Sequence, residues 1–192
     1  ILAVLVSGLG ILMCTVFHKA EHFAAHRIPN PFVRIAAGGV IITVLTALMG
    51  DHRFNGAGMD MALAAVGGDA DWYSFAMKML FTAVTLAAGF KGGEIVPSFF
   101  TGAAFGCLFG NLTGFSSTLC SAIGMTAVFC GVTNCPISSL LISFELFGYD
   151  GMPYFLLSIA FSYMFSVYFG LYHSQKIVYS KYKTNYINKS TH

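Results

Sequence analysis

The sequence is apolar over long stretches, but glycine and proline cut those stretches into pieces. Several pieces are too short to cross the ~30 Å hydrocarbon layer of a bilayer alone. Broken helices at membrane depth persist only where the freed backbone is buried in protein or lines a cavity. That pattern points to a transporter core and away from a simple anchor. Composition agrees. Charged residues make up 9% of the 192 positions, against about 25% in soluble domains, and the mean hydropathy is +0.73. Disorder and an ordinary soluble enzyme are excluded. The formal net charge of +2 offers no basic stripe for nucleic acid.

The chain opens ILAVLVSGLGILMCTVF, apolar over 1–17, and continues as a polar helical extension, HKAEHFAAHR, over 18–27. It has no initiator Met and no basic leader region, so a fragment that starts inside a hydrophobic helix is expected. Pro29 and Pro31 break that helix. Further apolar helices are predicted over about 33–49, 59–66, 72–89, 96–111, 118–131, 137–147 and 152–172. Residues 59–66 are too short to span, and the acids of GGDAD at 67–71 can cap the next helix. These eight helices form an all-α membrane domain over 1–172. A basic tail follows over 173–192, with a short helix expected near 178–187. Lys19, Arg27, Arg34 and the tail lysines Lys176, Lys181, Lys183 and Lys189 place the first loop and the tail in the cytoplasm. The acid-bearing loops at 50–71 and 148–153 go outside. Cys14, Cys107, Cys120 and Cys130 lie in apolar runs, Cys135 follows Asn134, and no CxxC pair occurs; the cysteines are read as small packing residues.

The stretch Gly89-Phe90-Lys91-Gly92-Gly93-Glu94-Ile95-Val96-Pro97 interrupts hydrophobic sequence. Pro97 suits the first turn of a new helix. The first amides of that helix, at Glu94, Ile95 and Val96, have no intrahelical acceptor and face out from the positive end of the helix dipole. In a protein-lined, low-dielectric cavity such an end holds an anion without a cationic side chain. The same residues also read as a glycine-rich turn between two spans. Gly102, Gly106 and Gly110 recur every fourth residue, the spacing of a close helix–helix contact.

GFKGGEIVPSFFTGAAFG resembles the segment of the CLC family of chloride channels and proton-coupled anion exchangers that carries its GxFxP motif. TNCPISSLLISFEL (133–146) resembles the family's Pro-started helix ending in Glu, and KIVYSKY (176–182) the start of its last cytoplasmic helix. The resemblance implies an all-α polytopic fold of short, tilted and broken helices, corresponding to the second inverted repeat of the pore. It implies halide transport, chloride or fluoride, by a channel or an anion/proton antiporter. No enzymatic step and no cofactor are implied. Expected partners are the halide, protons, the lipid bilayer and, in the full-length protein, a second copy. The expected location is the bacterial plasma membrane. The anion-binding set carried over is Gly93, Glu94, Ile95 and Val96, with the Tyr179 hydroxyl donating from the other side.

Two departures qualify the resemblance. Chloride members carry an apolar residue at Glu94 and Phe at Ile95. A Glu at this place resembles the fluoride/proton exchanger branch, where Glu94 carries a proton or stays neutral. It also reads as an acidic helix start facing water. The family's other helix-terminal anion motifs and its gating glutamate do not occur in this chain, so the chain alone is expected not to transport. Tyr179 reads alternatively as an interfacial belt tyrosine beside Tyr168, Tyr172, Tyr182 and Tyr186. Glu145, near a helix end, is expected to reach interfacial water. Lys78 and Lys91 are expected to snorkel, Lys91 also raising the potential near the anion.

A rival reading starts from His18, His22 and His26, spaced i, i+4, i+8 beside Glu21. They share a helix face, as a membrane-bound metal enzyme would need. A third reading is a structural or assembly subunit built on the apolar faces near 136–172.

Overall fold

The computed structural model describes residues 1–172, 174–183 and 185–191. Eight helices run in order: α1 Leu2–Arg27, α2 Pro31–Met49, α3 Met59–Val66, α4 Ser74–Ala88, α5 Ile95–Thr113, α6 Ser117–Thr133, α7 Pro136–Phe147 and α8 Met152–Phe165. A two-stranded antiparallel hairpin, β1 Lys176–Tyr179 and β2 Tyr186–Ser190, closes the chain. Three helices, α1, α2 and α5, are long and apolar enough to cross a membrane.

Local signals set most helix ends. Asn30 caps α2 by accepting from the Phe32 amide at 3.0 Å, with Pro31 in the first turn. Ser116 caps α6. Gly50, Gly89 and Gly114 end α2, α4 and α5 in the left-handed conformation that glycine adopts without a Cβ clash. The acids at 67–71 do not cap α4, whose N-cap is Tyr73 with no side-chain bond. Asp71 instead meets Arg53 at 3.4 Å, and Arg53 also pairs with Asp51.

The centre of the fold is the antiparallel pair α5–α6. A Cβ added at Gly102 would lie 2.4 Å from the Gly124 carbonyl oxygen, and one at Gly106 only 2.1 Å from that of Cys120. At Gly110 it would meet Ser117 Cα at 2.7 Å. The two backbones therefore touch directly along the four-residue repeat. Around this pair, α1 buries Val6, Leu9, Met13 and Phe17 against Ala127, Val128 and Val132 of α6. Phe99, Phe100, Ala103 and Ala104 of α5 pack with Ala62 and Ala65 of α3 and Phe81 of α4. Phe155 and Ile159 of α8 cover Ala122, Ile123 and Cys130. Hydroxyls bridge the helices where methyls cannot: Ser121 Oγ donates to Ala65 O at 2.9 Å, and Ser162 Oγ to Ala127 O at 2.6 Å. Cys14, Cys107, Cys120 and Cys130 are buried free thiols; Cys135 is exposed.

Two expectations about the C-terminal part are corrected. The helix predicted over 152–172 stops at Phe165, and its 14 residues reach only about 21 Å. The chain then folds back on the end of α6: Val167 takes a positive φ of 49°, the Leu171 amide donates to Val132 O, and Asn134 Nδ2 donates to Phe169 O. Backbone groups at 169–171 are thus captured by tertiary partners. The short helix expected near 178–187 is replaced by the hairpin. Its β-branched and aromatic residues, Ile177, Val178, Tyr179, Tyr186 and Ile187, suit strands.

Candidate functional site: a cavity at the start of α5

The glycine-rich segment 89–93 leaves α4 through Gly89 (φ 91°) and reaches α5 without regular structure. Glu94 occupies the N-cap position with helical dihedrals and makes no capping bond through its side chain. The first helical bond is Ser98 N to Glu94 O at 3.2 Å. Among the described residues the amides of Glu94, Ile95 and Val96 donate to no protein acceptor outside the helix. They form the free positive end of a 19-residue helix.

A cavity of about 680 Å³ lies beside this end, between α2, α4 and the loop at 54–57. Gly92, Gly93, Val96 and Pro97 form its α5 side, and Lys78, Thr82, Thr85 and Asn55 are its other polar walls. Lys91 sits exposed at its edge. Two lysines and no carboxylate line it, which makes its field favourable to an anion.

Lys78 does not snorkel. It is 1% exposed, and its ammonium donates to Phe54 O at 3.1 Å and Gly56 O at 2.7 Å. It thereby fixes the cavity's loop wall. No sequence signal predicted this pairing, because the acceptors are main-chain carbonyls more than 20 residues away.

The predicted anion-binding residues divide into two groups. Gly93 and Val96 line the cavity; Glu94 and Ile95 are half-buried and are not among its walls. Glu94 lies within electrostatic reach of Cys14 and Glu21 of α1. Cys14, His18 and Glu21 fall on one face of α1. His18 Nε2 lies 3.1 Å from Leu171 O. Tyr179 is two-thirds exposed, packs its ring edge-on to Tyr186, and is absent from the cavity walls.

Glu145 is exposed in the last turn of α7. The histidine reading is not supported. His18 is engaged with Leu171, the His22 and His26 rings stack at 6.5 Å, and no metal-holding group of three or more His, Cys, Asp or Glu occurs among the described residues.

Known proteins agree with this architecture. The sequence model of the voltage gated chloride channel family matches residues 1–167. The chloride/fluoride channel protein of Pseudomonas syringae pv. tomato is 31% identical over 193 aligned positions, covering 95% of this chain and 43% of that protein. A putative ion-transport protein, YfeO, of Salmonella newport is 33% identical over 91 positions, 45% of this chain and 22% of its own length. The crystal structure of a CLC-type fluoride/proton antiporter superposes with a TM-score of 0.85 at 26% identity, covering 89% of this chain and 44% of that one. The chain spans less than half the length of these relatives. With an all-α membrane fold, a free helix start over a cation-lined cavity and a family match across residues 1–167, the chain belongs to the voltage gated chloride channel (CLC) family.

Proposed function

We propose that this chain forms part of a halide pathway across a bacterial plasma membrane, coupled to protons, with fluoride as the favoured anion over chloride. The observation that carries this reading is the cavity at the start of α5, bounded by Gly93 and Val96, two lysines and no carboxylate. The dehydrated anion rests on the free amides at 94–96, and Lys78 and Lys91 hold the surrounding potential positive. Glu94, at the N-cap of α5 beside the amides, takes and releases the proton. The name of the Pseudomonas relative, a chloride/fluoride channel protein, and that of the structural neighbour, a fluoride/proton antiporter, support the halide and the coupling. The tyrosine donor is assigned to Tyr172, next in the chain to Leu171, whose carbonyl meets His18 of α1 at 3.1 Å. Tyr179 keeps the role of an interfacial tyrosine. The tail is cytoplasmic, and the exposed apolar faces of α7 and α8 serve a homodimer.

The test is halide binding to the purified chain in lipid nanodiscs, titrated by calorimetry with fluoride and with chloride at about pH 5.5 and about pH 7.5. Fluoride is expected to bind more tightly than chloride, and more tightly at the lower pH. Glu94→Gln is expected to abolish that pH dependence. A Cβ at Gly93 meets no protein atom within 4 Å, so Gly93→Val keeps the fold and narrows the cavity, weakening binding roughly tenfold. A folded chain that binds neither halide overturns the site. Tighter chloride than fluoride binding overturns the anion assignment.

A further inference from the structure

The tail leaves the helical bundle at a defined depth. Residues 1–17 of α1 are apolar, and the polar extension begins at His18. His18 Nε2 meets Leu171 O at 3.1 Å. The tail therefore emerges where α1 itself passes from hydrocarbon to the headgroup region.

The hairpin is then pinned at that depth by the helix ends. Gln175 Nε2 donates to Thr133 O, the last residue of α6, at 2.9 Å. Lys181 Nζ donates to Asn134 Oδ1, to Tyr163 O at 2.9 Å and to Ser166 Oγ at 2.7 Å, and lies 4.3 Å from the Tyr163 ring centre. Tyr182 Oη donates to Met164 O. The carbonyls at helix C-termini lack intrahelical partners, and a cation there also answers the dipole.

With Lys181 so engaged, Lys176 and Lys183 face outward; Lys189, opposite Ile177 in the ladder, stays exposed with its Nζ 5.6 Å from the Tyr168 ring centre. Lys176, Lys183 and Lys189 are exposed, beside the exposed Tyr179, Tyr186 and Val178. Ile177 is 9% exposed while Tyr179, two positions on, is 66% exposed. The register irregularity between these residues accounts for the change of face. No Asp or Glu occurs in residues 173–192, and neither ion pair among the described residues involves the tail. The result is a basic, aromatic, acid-free surface at headgroup depth. Tyrosines favour that layer, and lysines there attract anionic lipid.

We propose that the β1–β2 hairpin binds anionic headgroups of the membrane in which α1–α8 sit, through Lys176, Lys183 and Lys189, with Tyr179 and Tyr186 entering the headgroup layer. The charge complementarity decides the occupant: a zwitterionic surface offers no counter-charge to the three lysines. This contact is independent of which anion the cavity takes.

Chymotrypsin cleavage after Tyr179 and Tyr186 reads the contact without using the lysines. The full chain is placed in phosphatidylcholine nanodiscs, or in discs where about a third of the lipid is phosphatidylglycerol. Cleavage is expected to slow roughly tenfold in the anionic discs and to recover at about 0.5 M salt. The triple variant Lys176→Gln/Lys183→Gln/Lys189→Gln, which leaves Lys181 in place, is expected to lose the protection. Equal cleavage in the two lipids overturns the proposal, as does full protection in phosphatidylcholine discs by free inorganic phosphate, which would mark a soluble-anion site. Protection that survives in the triple variant also overturns it.

Discussion

The Lys78 ammonium donates to the Gly56 carbonyl at 2.7 Å from the second turn of α4, a full loop away in sequence. A buried cation here stands in for missing backbone donors: the loop at 54–56 points two carbonyls inward, and Lys78 satisfies both. Lys78→Met keeps the stem's apolar packing and removes the donors. Each carbonyl left unsatisfied costs about 1–3 kcal/mol. The expected outcome is a lower midpoint of thermal unfolding in detergent and faster proteolysis within residues 51–58. An unchanged midpoint would mean that water reaches these carbonyls.

The contact between α5 and α6 allows no side chain. Gly106→Ala places a methyl 2.1 Å from the Cys120 carbonyl oxygen. Such overpacking is expected to destabilise by about 1–3 kcal/mol. Gly39→Ala in α2 is the matched control, since a Cβ there meets nothing within 4 Å. Lower backbone entropy in the unfolded chain should make that change stabilising by about 0.5–1 kcal/mol. Thermal unfolding of the pair in one detergent measures both signs.

Tyr172 and Tyr179 make different predictions for halide affinity. The Tyr172→Phe change is expected to weaken fluoride binding roughly fivefold, the value of about one lost hydrogen bond. Tyr179→Phe is expected to leave it unchanged, because its ring packs on Tyr186. Fluoride calorimetry on the two variants decides. The reverse ranking would return the donor role to Tyr179.

Tail docking should depend on pH through Lys181. Burial pushes its ammonium below the ordinary lysine value, to about 8. The groups around it are the Cys130 thiol of α6, the Tyr163 ring of α8 and, beside Tyr163, the Cys135 thiol at the start of α7. No carboxylate pairs with it among the described residues. The docked state then binds the proton more weakly than the released tail. Docking is flat below about pH 8 and tightens as pH rises from there towards the free lysine value. Hydrogen exchange of the β1–β2 amides, corrected for intrinsic rates, should show the hairpin opening less at alkaline pH. Lys181→Met should remove that slope.

Most helices of the membrane domain were legible because they carry their own start and stop signals; α8, which ends at Phe165 without one, was drawn too long. Pro31, Gly50, Gly89 and Pro136 mark ends that local backbone chemistry enforces. The Gly102–Gly106–Gly110 spacing announced a close contact, though the partner helix could be known only from the fold. The tail was misread for the opposite reason. Its path is decided by Asn134, Val132 and Thr133, some 35–45 residues upstream. A local pattern such as KIVYSKY says nothing about those partners. At the site, glycines predicted a turn and free amides. They did not reveal that Gly93 lines the cavity while Glu94, adjacent in sequence, does not.

Backbone in contact with backbone leaves no soft layer between α5 and α6. Side chains can repack when helices slide; carbonyls and Cα atoms a few ångströms apart cannot. The two helices therefore behave mechanically as one beam. Its near end carries the amides at 94–96, and α6 carries Thr133 and Asn134, which hold Gln175 and Lys181 of the tail. A tilt at the mouth of the cavity is thus felt as leverage on the hairpin, and a pull on the hairpin as strain at the cavity.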